Sequence, residues 1–203
     1  MSDTILSRPG FAVYFARHGE TAFNVERRYQ GSRHDSPLTE RGRVQAREVG
    51  LMLRDLISRE RPPHFVASPL GRTRATMEII LDTLGLPGGD YTTDRRVVEI
   101  DLGEWSGLCD DEVRNGDRAR WQARERDKWN IPVPGGESYA MVARRATDWF
   151  QSLSGETVAI SHGAFGRNLR GLYGAMAWQD MAALDEPHGC VFRLQAGTVA
   201  RFE

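Results

Sequence analysis

The sequence predicts an α/β fold, a three-layer αβα sandwich around a mostly parallel central sheet. Three observations predict it. Two short apolar runs, residues 11–16 and 157–160, are uninterrupted, as strands buried on both faces are. Segments with apolar residues at helical spacing lie between the strands, and parallel strands require such crossovers. Both runs stop at a His-Gly pair, His18-Gly19 and His162-Gly163, at the carboxyl ends of strands where ligands collect in open α/β sheets.

Taken in order, Phe11 to Ala16, bounded by Gly10 and Gly19, reads as the first strand. Phe23 to Pro37 is rich in Arg, Gly, Ser and His without an apolar period and reads as a surface loop. Thr39 opens a helix through Val44, Val49, Met52, Leu53, Leu56 and Ile57 that Pro62-Pro63 ends. Phe65 to Ala67 is a second strand. Ser68 as cap and Pro69 in the first turn then start a helix carrying Met77, Ile79, Ile80, Leu81 and Leu84 to a stop at Gly85. Val97 to Ile100 reads as an edge strand or an extended loop, followed by the turn-rich Gly103 to Gly107.

Asp110 to Asn130 is polar and helix-compatible, with Val113, Trp121 and Trp129 its few large apolar residues, so residues 104–135 read as a polar helical excursion beside the site. Glu137 to Leu153 resumes helical spacing through Tyr139, Val142, Ala146, Trp149 and Phe150. Thr157 to Ser161 is a buried strand and Phe165 to Tyr173 a short helix. His188 to Leu194 with Thr198 to Phe202 forms a closing hairpin around Ala196-Gly197.

With 203 residues and 40% hydrophobic content, the chain is expected to form a single domain, 1–203. Its 27 basic and 28 acidic residues leave a net charge of -1, which offers no global field for nucleic acid or an anionic membrane, so any anion site is local. Cys109 and Cys190 have neither zinc-ligand spacing nor the density of a disulfide framework, which points to a reducing compartment. Met1 to Gly10 lacks a signal-peptide core and no segment approaches the ~20 apolar residues of a membrane span, so a soluble, cytoplasmic protein is expected. A homo-oligomer is compatible with all of this.

Neighbouring strands lie ~4.8 Å apart, so His18 and His162 converge if their strands are adjacent. A lone strand-end histidine is more often a satisfied polar residue than a catalyst; the pair favours a site. Glycine after each histidine allows unusual φ and close approach of a ligand. Arg17 adds a fixed cation, and Arg72, in the first turn of a helix that follows a strand, adds a charged fork near free N–H groups. Together these residues describe a phosphate pocket. His34, His64 and His188 have no such partners and read as structural, and Arg27-Arg28, Arg95-Arg96 and Arg144-Arg145 read as solvated faces.

Arg17-His18-Gly19-Glu20-Thr21 followed by Asn24 resembles the signature of the histidine phosphatase superfamily, also called the phosphoglycerate-mutase-like family. Further blocks resemble that family in its order: Gln30-Gly31, Ser36-Pro37-Leu38-Thr39 with Gly42, Ser68-Pro69-Leu70 with Arg72 and Thr76, and Glu99 before Gly103, Trp105 and Gly107. Gly135-Gly136-Glu137-Ser138 and Ser161-His162-Gly163 complete the series, which spans Tyr14 to Gly163.

The resemblance implies a phosphoglycerate-mutase-like fold and a phosphomonoesterase that hydrolyses a small phosphorylated metabolite through a phosphohistidine on His18. It implies catalytic roles for His18, Glu99, His162, Arg17 and Arg72, and a phosphate site of Arg17, His18, Asn24, Arg72, His162 and Gly163. Gln30 and Gly31 would face the substrate. Glu99 matches the acid/base position, with Asp101 and Glu104 as nearby rivals and pairing with Arg95 or Arg96 as the non-catalytic alternative. No cofactor and no metal ligand set is needed, because the arginines supply the charge that Mg²⁺ supplies in other phosphoryl-transfer enzymes.

The cofactor-dependent mutases of the family are generally longer, which favours the phosphatase branch. A phosphoglycerate mutase and a non-catalytic phospholigand-binding module are the alternatives. Cys109 to Asn130, with Arg114, Arg118, Arg120, Arg124 and Arg126, is expected to set substrate selectivity. Ser106 stands where the family often has an acidic residue, and His188-Gly189-Cys190 departs from its usual small polar pattern.

Overall fold

The computed structural model describes residues 6, 9–58, 60–86 and 90–203; most of Met1 to Gly10, read above for a signal-peptide core, lies outside them. The elements in chain order are β1 (Val13–Arg17), α1 (Ala22–Val25), α2 (Glu40–Leu56), β2 (His64–Ala67), α3 (Gly71–Leu84), β3 (Thr92–Thr93), α4 (Asp110–Gly116) and α5 (Arg118–Arg126). Then follow α6 (Tyr139–Gln151), β4 (Thr157–Ser161), α7 (Gly163–Tyr173), α8 (Trp178–Ala183), β5 (Val191–Gln195) and β6 (Thr198–Phe202). The sheet order is β3-β2-β4-β1-β5-β6. The first four strands in that order run parallel, and the β5–β6 hairpin adds an antiparallel partner to β1. Among the described residues no helix is long and apolar enough to cross a membrane.

Successive side chains of β1 point to opposite faces, and both faces are covered. Val13 and Phe15 pack with Trp149 of α6 and Phe165 of α7, whereas Tyr14 and Ala16 pack with Val49 and Leu53 of α2 and Met77 and Ile80 of α3. The predicted three layers are therefore present. A small satellite core of Trp105, Val113 and Val133 supports the excursion that carries α4 and α5.

Four local expectations need correction. Ser68 does not cap α3: Leu70 is extended and holds the cap position, and the Ser68 hydroxyl bonds His162 instead. Of the two readings of Val97 to Ile100 the extended loop holds: a 3-10 turn over Arg95–Val97, capped by Asp94, leads into extended backbone with no strand beside it among the described residues. Its carbonyls are satisfied by Arg145, which donates to Arg96, Val98 and Glu99 and pairs with Glu137 at 3.0 Å. Arg145 is thus a brace and not a solvated face. Within the Phe23 to Pro37 loop, residues 23–25 belong to the short α1, whose first turn is held by a Thr21–Asn24 capping box. Val44, on the apolar stripe that the sequence predicts for α2, is 42% exposed.

The first turn of α2 presses on the loop after β1. Thr39 caps the helix by accepting from the Gly42 N–H, and a Cβ on Gly42 would sit 2.1 Å from the Glu20 carbonyl oxygen, as one on Gly19 would sit 2.2 Å from that of Gly42. Neither glycine has positive φ. They are needed for this backbone contact, not for unusual torsion angles. Gly→Ala within a helix is usually stabilising by up to about 1 kcal/mol, so the sign is diagnostic. Gly42→Ala should instead destabilise by about 1–3 kcal/mol, the cost of overpacking a rigid contact, read as a lowered urea midpoint.

Candidate active site

The parallel register pairs Arg17 with Ser161 at the ends of adjacent β1 and β4, so the next residues, His18 and His162, emerge side by side. Their ring centroids are 5.2 Å apart. His18 is 2% exposed, and its Nδ1 lies 2.8 Å from the Gly19 carbonyl oxygen. A carbonyl only accepts, so Nδ1 carries the proton and Nε2 presents its lone pair. Arg72 Nε donates to that Nε2 at 3.2 Å. Three of the four remaining arginine N–H groups are anchored, on the Gly31 and His34 carbonyls and on Asp35 at 3.0 Å. Burial, then Arg17 and Arg72, hold His18 well below the usual imidazole range, so it is neutral over the physiological pH range.

A cavity of about 330 Å³ opens over His18. Arg17, Asn24, Arg72 and Glu99 line it, as do Gln30 and Gly31. Arg17 donates to the Glu186 carbonyl at 2.7 Å, and its Nε has no partner among the described residues. Asn24 spends its Oδ1 on the Thr21 N–H and hydroxyl. The Gln30 amide is consumed by Thr21 and Ser36, and Gly31 accepts from Arg72, so both reach the site chiefly by bracing its other members.

Glu99 sits on the wall of the cavity. Its carboxylate accepts from the Ile100 N–H at 2.9 Å and from the Ala164 N–H, in the first turn of α7, at 3.1 Å. Burial and, next, the Glu186 carboxylate raise its pKa above the ordinary carboxylate value, against the opposing pull of the Ile100 N–H, Arg17 and Arg72. Arg96 pairs with Asp94 and leaves Glu99 to the cavity. Of the rivals, Asp101 bonds Gly103 and pairs with Arg33 at 2.7 Å, and Glu104 is exposed.

His162 and Gly163 lie just behind the cavity wall. His162 is fully buried, with Nε2 2.8 Å from the Ser68 hydroxyl and Nδ1 without a partner among the described residues. A Cβ on Gly163 would overlap the Glu186 carboxylate. Arg17 directly precedes His18 and the His162 ring lies 5.2 Å from it, and each carries an orphaned nitrogen, an arrangement suited to a bound anion.

His188, read from sequence as structural, belongs to this cluster. Its Nδ1–H donates to the His18 carbonyl at 2.6 Å, and the two rings are 5.5 Å apart. No local pattern signals this, since the contact spans 170 positions. Burial and Arg17 lower its pKa to about 4. The unfolded chain therefore binds protons below about 6.5 that the folded chain refuses, and stability falls with pH from 6.5 to about 4. His188→Asn removes that contribution. The urea midpoint of the variant should decline less steeply with acid over this window than that of the wild type.

Residues 13–198 match the model of the histidine phosphatase superfamily (branch 1). The chain belongs to that superfamily. Membership places it among phosphatase-type and mutase-type enzymes. A Salmonella paratyphi C relative, named probable phosphoglycerate mutase GpmB, is 34% identical over 174 residues, 83% of this chain and 77% of the relative. The alpha-ribazole phosphatase from Shigella flexneri has a similar fold, with TM-score 0.78, 22% identity and 93% coverage of each chain. A mycobacterial glucosyl-3-phosphoglycerate phosphatase solved with VO3 gives TM-score 0.76 at 25% identity, covering 97% of this chain and 96% of that one.

Proposed function

We propose that the protein is a metal-independent phosphomonoesterase that hydrolyses a small phosphorylated metabolite through a phosphohistidine on His18. The observation that carries this reading is the fixed tautomer of His18, whose Nε2 lone pair faces a cavity between two guanidinium groups. Nε2 attacks phosphorus in line with the ester oxygen, a P–N bond forms and the P–O bond breaks. The departing alkoxide takes a proton from the Glu99 carboxylic acid. Water then gives a proton back to the Glu99 carboxylate and attacks phosphorus, the P–N bond breaks, and the electron pair returns to Nε2.

Arg17 and Arg72 supply the charge that the phosphoryl oxygens need, and an oxygen placed between Arg72 and His18 would replace their 3.2 Å hydrogen bond. His162 Nδ1 and Asn24 are the further groups available to that phosphoryl group, with Gly163 shaping the wall behind it. The names of the curated relatives favour a second reading, a phosphoglycerate mutase. Incubating the protein with phosphoglycerates and other phosphate esters separates the two. Inorganic phosphate release without a bisphosphate primer supports the phosphatase, whereas primed isomer interconversion without net phosphate release supports the mutase.

A further inference from the structure

The cavity extends from His18 to the excursion, and its charges are unevenly matched. Arg72 pairs with Asp35, Arg167 with Glu186 and Lys128 with Glu125, each at 3.0 Å. Arg17, the guanidinium beside His18, has no carboxylate partner among the described residues and is the one the phosphoryl group would occupy. Arg124, on α5, is the other poorly matched cation. It lines the cavity, is 6% exposed, and its Nε has no partner among the described residues. The carboxylate in ion-pair range is Glu125 at 3.9 Å, and Lys128 already holds that group.

Two rings fix Arg124 and keep water from it. Its guanidinium carbon lies 5.6 Å from the centroid of Trp105 and 5.9 Å from that of Tyr139. Ring faces attract a cation but accept none of its N–H directions in the way an oxyanion does. A buried guanidinium with unspent donors carries a desolvation cost that an anion entering the cavity would offset.

We infer that Arg124 receives a second anionic group of the substrate, so that the natural ester is a compact phosphorylated acid. This deepens the phosphatase reading above and rests on it. The second group is a carboxylate or a second phosphate. Either accepts two parallel hydrogen bonds from a guanidinium fork, and a hydroxyl does not. The polar excursion thereby sets selectivity through one buried residue, whereas Arg118 and Arg120 on the same helix are exposed.

Three esters on one three-carbon frame test this: 3-phosphoglycerate, glycerol 1,3-bisphosphate and glycerol 3-phosphate. The wild type should show a kcat/KM about 10–100-fold higher for at least one of the two doubly anionic esters than for glycerol 3-phosphate, the factor expected of a charge-assisted hydrogen bond in a dry site. Which of the two leads separates carboxylate from phosphate. In Arg124→Met the preference should collapse toward unity, chiefly through KM, and Arg124→Lys should restore part of it.

Equal kcat/KM for all three esters in the wild type overturns the inference, as does an equal loss for all three in Arg124→Met, which marks a structural role. If none of the three releases phosphate, it is the phosphatase reading that fails. Calorimetric binding of the same compounds to wild type and Arg124→Met then still decides the subsite, with equal affinities counting against it.

Discussion

His18→Ala is expected to lower phosphate release by about 10⁴-fold or more, because no neighbouring group can take its place as phosphoryl acceptor. Four features give His18 that role in the proposed mechanism. Its Nδ1 proton is committed to the Gly19 carbonyl. Its Nε2 faces the cavity next to Arg72. Burial with two nearby guanidinium groups keeps it neutral. The backbone holds it on both sides, through the His18 N–H to Ser161 and the Gly19 N–H to Thr76. His162 is not free to substitute, since its Nε2 is spent on Ser68 and its Nδ1 is the group assigned to the phosphoryl oxygens.

The check is twofold. Steady-state phosphate release is compared between wild type and variant, with unfolding midpoints to show that both are folded. A rapid alkaline quench of wild type with a radiolabelled ester should then leave an acid-labile label on the peptide containing His18, and none on the variant. A variant that keeps a tenth or more of wild-type turnover would exclude His18 as the acceptor.

Residues whose role depends on local pattern were legible in the sequence, and those whose role depends on distant partners were not. β1 and β4 announce themselves because burial on both faces demands unbroken apolar runs, and their His-Gly ends follow directly. Thr39 and Gly85 mark helix ends by side-chain and backbone chemistry that acts within a few residues. β3, a pair of exposed threonines, has no such signal and exists because β2 offers it an open edge. Arg145 and Arg144 look alike in sequence, yet only the topology brings the carbonyls of residues 96, 98 and 99 to Arg145. His188 carries no local signal for the same reason, and Gly19 serves a backbone contact and not an unusual φ, since the Gly42 backbone it accommodates belongs to another element.

Glu99→Gln is the sharper test of mechanism because it should separate chemistry from binding. The amide keeps the acceptor oxygen that meets the Ile100 and Ala164 N–H groups, so the cavity wall should hold its shape. What it loses is the proton. Turnover should fall by about 10²–10⁴-fold for an ester with a poor leaving group, and much less for a nitrophenyl ester, whose phenolate departs without protonation. Vanadate inhibition should persist with a similar constant, since Arg17 and Arg72 are untouched.

The pH profile follows from the two shifted groups. His18, lowered from 6.5, must be neutral to attack, so the acid limb of kcat/KM lies below the ordinary imidazole range. Glu99, raised from 4.5, must be protonated to release the alcohol, so the alkaline limb lies above the ordinary carboxylate range. In Glu99→Gln the alkaline limb should disappear while the acid limb stays. Loss of vanadate inhibition in parallel with turnover would mean that the carboxylate holds the cavity together and that another group delivers the proton.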